Sequence, residues 1–186
     1  MRALIYIIDA LSMLITFVFL LRFWLPWFGA DFRNPIAQGI LRATSPVINP
    51  VRRFVPSIGR IDTATVLVAL AVQVVTTILV MSLSGMSFAD MSAVASYVAV
   101  SSVFTLIYLS LRLFMFAIVI RIVLSWIAPH THNPATALLA NMTDPLLRPF
   151  RRYIPSLGGF DISPIFAIIA LGALGVLLED VQQLLL

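Results

Sequence analysis

Four stretches of the chain are apolar for long enough to stand apart from what lies between them. Ala3 to Leu21 runs almost unbroken to Arg22. Thr63 to Leu83 is a second run and Ser92 to Ile127 a third, and a fourth begins at Ser163-Pro164 and reaches about Leu178. About 20 apolar residues in a helix cross ~30 Å of hydrocarbon, so the first, second and fourth runs each predict one spanning helix. The third covers 36 residues, roughly 54 Å as a helix. That is too long for one upright crossing and too short for two with a turn.

A duplication decides how to read the third run. Shifted by 99 positions, Arg22 to Asp62 lies on Arg121 to Asp161 without a gap. The copies share Arg22/Arg121, Trp27/Trp126, Asn34-Pro35/Asn133-Pro134, Thr44/Thr143, Pro46/Pro145 and Pro50/Pro149. They also share Arg52-Arg53/Arg151-Arg152, Pro56-Ser57/Pro155-Ser156, Gly59/Gly158 and Asp62/Asp161. Ser102 to Trp126 then corresponds to Ala3 to Trp27 and predicts the third span. Ser92 to Ser101 is left as a helical extension or a turn lying on the surface. The expected fold is an all-α membrane protein whose four transmembrane helices form two tandem parallel repeats. Each repeat carries a Pro/Arg-rich amphipathic interfacial segment. The units are 1–83 and 102–186, joined by a connector and helical extension at 84–101, and an approximate twofold axis along the membrane normal is expected to relate them.

Between the spans of each unit, Asn34-Pro35 and Asn133-Pro134 predict helix starts. Asn caps free backbone N–H groups, and Pro at the first helical position loses no needed donor. The first such helix is predicted to end near Thr44. Pro46, Pro50 and Pro56, and Pro145, Pro149 and Pro155 after them, predict breaks that forbid one long helix. Val51, Phe54 and Val55 alternate with Arg52 and Arg53, a pattern suited to the membrane interface. Gly59 and Gly158 allow turns, and Asp62 and Asp161 stand at the mouths of the next spans, where carboxylates serve as caps or loop clamps. The first run is flanked by Arg2 alone, contains Asp9 and lacks a cleavage site, so it reads as a retained helix rather than a signal peptide.

Composition agrees with the pattern. The chain is 61% hydrophobic and 11% charged, with a mean hydropathy of +1.05, against about 25% charged in soluble domains. It has no Cys, which excludes disulfides, thiolate metal sites and Cys nucleophiles. All twelve basic residues are Arg, which excludes Lys Schiff-base chemistry. The pI near 10.3 points to anionic lipid rather than nucleic acid, because the arginines border apolar runs. Arg33, Arg42, Arg52, Arg53, Arg60, Arg148, Arg151 and Arg152 fall between spans on one side, against Arg2 on the other. The positive-inside rule then places the Arg-rich segments in the cytoplasm and both termini outside.

Polar residues inside the spans are candidates for interhelical bonding. Asp9, Ser12 and Thr16 share a face of the first span, Gln73, Thr76 and Thr77 a face of the second, and Ser101, Thr105, Tyr108 and Arg112 a stripe on the third. Similar depth predicts an ion pair between Asp9 and Arg112, since an unpaired intramembrane charge is costly. A permeation path needs polar lining throughout, and the stretches Phe17 to Leu21 and Leu113 to Ile120 are wholly apolar. His130, His132 and Asp144 could suggest a metal, but the histidines lie two apart in a loop and read as solvated. No Walker loop, G-x-S-x-G, H-E-x-x-H or dinucleotide fingerprint occurs. Neither a cofactor nor a catalytic residue is expected.

The blocks Trp27…Asn34-Pro35 and Pro46-x-x-x-Pro50-x-Arg52-Arg53-x-x-Pro56-Ser57-x-Gly59-x-x-Asp62, with their second copies, resemble the YggT family, YlmG in Gram-positive bacteria. The resemblance covers essentially the whole chain. It implies a small bacterial inner-membrane protein without enzymatic activity, linked to osmotic or ion tolerance and to cell division, with plastid relatives linked to cytochrome assembly. The expected role is a scaffold or assembly factor whose Arg52, Arg53, Arg151 and Arg152 hold anionic headgroups, a membrane-protein partner or a second copy. The alternative is a component of ion or osmolyte movement.

Overall fold

The computed structural model describes residues 1–31, 33–86, 90–127, 133–154 and 161–186. They form six helices: α1 (Arg2–Trp27), α2 (Pro35–Arg52), α3 (Thr63–Leu83), α4 (Met91–Ile127), α5 (Pro134–Tyr153) and α6 (Ser163–Leu185). Four of them, α1, α3, α4 and α6, are long and apolar enough to cross a membrane. Their outward faces are apolar too: Leu11, Leu14, Val75, Ile169 and Val176 are among many large side chains left exposed. In water such a surface would drive aggregation; in hydrocarbon it is the solvated state. The chain is a multi-pass membrane protein.

One boundary left open in the sequence is settled, and one differs. Residues 92–101 belong to the unbroken 37-residue α4, so the extension reading holds and the surface turn does not. The last helix continues past Leu178 through Glu179 and Asp180 to Leu185, because nothing there breaks a helix.

A larger correction concerns the prolines. Pro46 and Pro50 lie inside one continuous helix, as do Pro145 and Pro149. An interior proline removes one backbone bond and crowds a carbonyl, at a cost of ~3 kcal/mol or more in isolation. Here the members of each pair are four residues apart, on one outward face, and all four are exposed. Side-chain hydroxyls also donate to carbonyls in the turn before the first proline of each helix. Thr44 Oγ1 donates to the Ile40 carbonyl (2.7 Å) and Ser45 Oγ to that of Leu41 (2.5 Å). In α5, Thr143 Oγ1 donates to the Leu139 carbonyl (2.7 Å). The amphipathic helices therefore run to Arg52 and Tyr153.

The inward faces of α2 and α5 pack beneath the spans. A core formed by Leu20, Leu25, Ala37, Leu109, Leu113, Phe114, Leu138 and Met142 joins α1, α2, α4 and α5. Two smaller cores repeat at the same offset: Phe19, Ile48 and Val68 in one, Ile118, Leu147 and Ala167 in the other. A hydrogen bond from Asn34 Nδ2 to the Pro134 carbonyl (2.6 Å) ties the starts of α2 and α5. The expected twofold relation is incomplete. The contact of α3 on α4 has no counterpart of comparable extent between α6 and α1.

The α1–α3 seam is polar and hydrogen-bonded, as expected of the faces around Ser12 and Gln73. Gln73 Nε2 donates to Thr16 Oγ1 (2.7 Å) and, at 3.5 Å, to Ser12 Oγ; Thr76 Oγ1 donates to Ser12 Oγ (2.8 Å). Asp9 and Arg112 do not pair. Arg112 lies on the α4–α6 side, where Nη2 donates to Tyr108 Oη (2.8 Å) and the guanidinium stacks 4.6 Å from the ring centre. Asp9 is exposed on α1, whose polar face is turned to α3.

Interhelical bonds of this kind contribute about 0.6 kcal/mol on average and up to about 1.7. Gln73→Leu is therefore expected to lower stability by roughly 1 kcal/mol. In a double-mutant cycle with Thr16→Val, the double change is expected to cost clearly less than the sum, as read by thermal unfolding in detergent.

Candidate functional site

The charged side chains gather where α2 and α5 meet the ends of the spans. Arg22, near the end of α1, is 5% exposed. Its Nη1 donates to Thr44 Oγ1 (2.7 Å), the Leu41 carbonyl (3.2 Å) and Ser45 Oγ (3.2 Å), all on α2. Its Nε lies 3.7 Å from Asp62 Oδ2, a charge contact too long for a hydrogen bond. Asp62 is the N-cap of α3, accepting from the Thr65 hydroxyl (2.8 Å) and backbone N–H (3.4 Å). Arg52 Nη2 donates to the same carboxylate. One arginine thus fastens α1 to α2, and one aspartate joins both to the start of α3.

The second copy uses the same frame with one change. Arg121 Nη1 donates to Thr143 Oγ1 (2.7 Å), as Arg22 does to Thr44. Where the first copy has Ser45 the second has Asp144, which accepts from Arg121 Nη1 (2.6 Å) and Arg151 Nη1 (2.9 Å). Arg151 Nε also donates to Asp161 Oδ2 (2.8 Å), and Asp161 accepts from the Ser163 backbone N–H (3.0 Å). Partial burial pushes the Asp144 carboxyl up, but hydrogen bonds from Arg121 and Arg151 outweigh it and hold the group below the usual carboxylate range. Burial likewise opposes ionisation of Asp161, and bonds from Ser163 and Arg151 bring it below that range.

Of the four motif arginines, Arg52 and Arg151 are engaged inside the chain. Arg53 and Arg152 are exposed and make no ion pair among the described residues; Arg152 only approaches the Tyr153 ring, at 6.0 Å. Asn34 caps α2 through the Ile36 and Ala37 N–H groups. Asn133 forms a capping box with Thr136 at the start of α5. Pro35 and Pro134 take the first helical positions. Gly59, at φ 59°, turns the chain between Ile58 and Ile61, whose backbones bond reciprocally at 3.1 and 3.0 Å. Pro56 offers its carbonyl to Thr63 Oγ1 (2.6 Å). Pro155, Gly158, His130 and His132 lie outside the described residues, and among those described no cluster suited to a metal ion occurs. Asp161 acts from one residue before the Ile162 N-cap of α6 rather than as the cap itself.

Arg22 and Arg121 escaped the sequence reading as site residues, although both are matched by the duplication. A charge ending a hydrophobic run reads as a topology marker. The usable signal was a second one, since each is followed 22 positions later by a threonine shared between the copies, Thr44 or Thr143.

A family model described as CCB3/YggT matches residues 1–83 and 100–183. The uncharacterized protein PA0392 of Pseudomonas aeruginosa is 42% identical over 178 residues, covering 94% of this chain and 87% of its own. The uncharacterized protein YggT of Escherichia coli is 30% identical over 183 residues, covering 98% and 93%. The YlmG homolog protein 2, chloroplastic, of Arabidopsis thaliana is 41% identical over 66 residues, 34% of this chain and 25% of its own. No solved structure matches the chain.

Three outcomes follow from the clusters. Arg22→Gln leaves Thr44, Leu41 and Asp62 underbonded in a buried place and is expected to cost about 3 kcal/mol. Arg151→Gln, at a site 39% exposed, is expected to cost about 1 kcal/mol or less. The depressed Asp144 and Asp161 stabilise the fold fully above the unfolded carboxylate pKa of ~3.9, and that contribution is lost as pH falls through their folded values. Thermal midpoints should thus be flat from about pH 5 to 8 and drop below about pH 4, and Asp144→Ser should shrink the drop.

Proposed function

This chain belongs to the CCB3/YggT family, and from that premise we propose that it is a non-enzymatic scaffold or accessory protein of the bacterial inner membrane. In this reading α2 and α5 form a rigid platform that grips anionic lipid headgroups. The two tandem units, 1–83 and 102–186, face the cytoplasm with their arginine segments and leave both termini outside.

One observation carries the reading. Arg22, Arg52, Arg121 and Arg151 clamp the platform to the span ends, while Arg33, Arg42, Arg53, Arg60, Arg148 and Arg152 stay exposed without an ion pair among the described residues. Beside them Phe54, Ile58 and Tyr153 are 85%, 71% and 79% exposed. Exposed cations interleaved with exposed apolar side chains match a surface half in headgroups and half in acyl chains. Arg presents a planar fork suited to phosphate. The arginine asymmetry supports the orientation. Ion or osmolyte movement is the weaker reading, because the polar side chains of the α1–α3 seam bond one another and leave few groups to line a path.

The test joins lipid retention to flux. Protein extracted from mixed phosphatidylglycerol–phosphatidylethanolamine membranes is expected to retain phosphatidylglycerol in native mass spectra. Arg53→Gln, Arg148→Gln and Arg152→Gln together should cut that retention several-fold with an unchanged thermal midpoint. Proteoliposomes should show no ion flux above empty vesicles. Unchanged retention, or flux that depends on the protein, would overturn the scaffold reading. For orientation, single cysteines at Met86 and Tyr153 are expected to react with an external impermeant reagent at 86 and not at 153.

A further inference from the structure

The two seams between spans diverge at a set of corresponding positions. In the first unit Ser12, Thr16, Gln73 and Thr76 close the α1–α3 seam with hydrogen bonds. At the same offset the second unit has Leu111, Met115, Gly172 and Gly175. Every hydrogen-bonding side chain is gone, and on α6 no side chain replaces it. A cavity of about 290 Å³ opens at that place between α4 and α6, its walls including Met115, Phe116, Val119 and Leu171.

The cavity is chemically graded. At the end nearer the C-terminus of α6 stand Arg112, Tyr108 and Glu179. Arg112 is anchored by Tyr108, which stacks beneath it and accepts its hydrogen bond. Arg112 and Glu179 both line the cavity yet make no ion pair with each other. The opposite end, by Val119 and Leu171, is apolar. A charge facing hydrocarbon is costly and marks a site by default, and here a cation and a carboxylate share one rim.

We propose that this cavity binds a zwitterionic, amine-bearing phospholipid from the leaflet on the side of the termini. The phosphodiester sits on the Arg112 guanidinium, the ammonium on the Glu179 carboxylate, and the start of one acyl chain runs over Gly172 toward Val119 and Leu171. Charge complementarity selects this occupant. An anionic headgroup satisfies Arg112 but is repelled by Glu179, and a hydrocarbon chain alone leaves both charges bare. The volume, at the lower edge of ligand pockets of ~300 Å³, admits a headgroup and part of one chain. The site uses no residue of the arginine platform, so its failure and the failure of the platform reading are separate results.

The glycines provide the test. A Cβ on Gly175 would meet Tyr108 Cε2 at 3.3 Å, whereas one on Gly172 meets nothing within 4 Å. Gly172→Leu is thus expected to fill the cavity without disturbing the fold. In nanodiscs of phosphatidylethanolamine and phosphatidylglycerol, a photoactivatable phosphatidylethanolamine with its reactive group on the acyl chain should label α4 and α6 around Val119 and Leu171. Labelling should fall at least fivefold in Gly172→Leu and in Arg112→Gln. Unlabelled phosphatidylethanolamine should compete and phosphatidylglycerol should not. Equal labelling by a photoactivatable phosphatidylglycerol, or labelling unchanged in both variants, would overturn the proposal.

Discussion

A guanidinium held out of water at the end of a membrane-spanning helix is the constraint around which the rest is arranged. Burying a charge is tolerable only when it is paired and hydrogen-bonded. Arg22 meets that condition with Thr44, Ser45, the Leu41 carbonyl and Asp62, drawn from α2 and from the start of α3. None of these partners is available unless α2 lies against the span and α3 begins where it does. The arginine therefore acts as a geometric pin. It ties α1 to two other elements at once, and its partners include the cap of α3 and two hydroxyls that donate to carbonyls one turn back in α2. Arg121 repeats the arrangement with Thr143 and Asp144.

The two units keep this frame and vary its charge. In the first, Arg22 and Arg52 share Asp62, so the cluster holds one more cation than anion. In the second, Asp144 replaces Ser45, and two arginines balance two carboxylates. The spans vary in the opposite sense, since the first seam is sealed by polar side chains and the second opens over two glycines. Duplication repeats the frame, and substitution at corresponding positions makes the two seams differ.

Helix geometry explains why the second arginine of each motif pair stays outside the ion pairs. In α2 and α5, Arg52 and Arg151 point to the carboxylates at the next span, and their neighbours, one residue on, are rotated about 100° around the helix. Arg53 and Arg152 therefore face away from those carboxylates.

The spans, the duplication, the Asn-Pro helix starts and the gathering of the arginines between the spans were legible in the sequence. Each depends on local periodicity, on capping chemistry or on the cost of placing charge in hydrocarbon, and none needs a partner from elsewhere in the chain. The continuity of α2 and α5 was not legible. Proline's local penalty is real, but Pro46, Pro50, Pro145 and Pro149 all lie on the exposed outward face, away from the packed side, and the helices run on. The roles of Arg22 and Arg121 were hidden for the same reason, because an arginine ending a hydrophobic run looks alike whether it meets water or a threonine 22 residues away. Depth along a helix suggested that Asp9 and Arg112 should meet, but rotation about the axis decides which neighbour a side chain sees. Packing turned the polar face of α1 to α3 and Arg112 to α6. Sequence determines what each segment can tolerate; the tertiary fold decides which buried charge has a partner, because only packing brings distant donors and acceptors within reach.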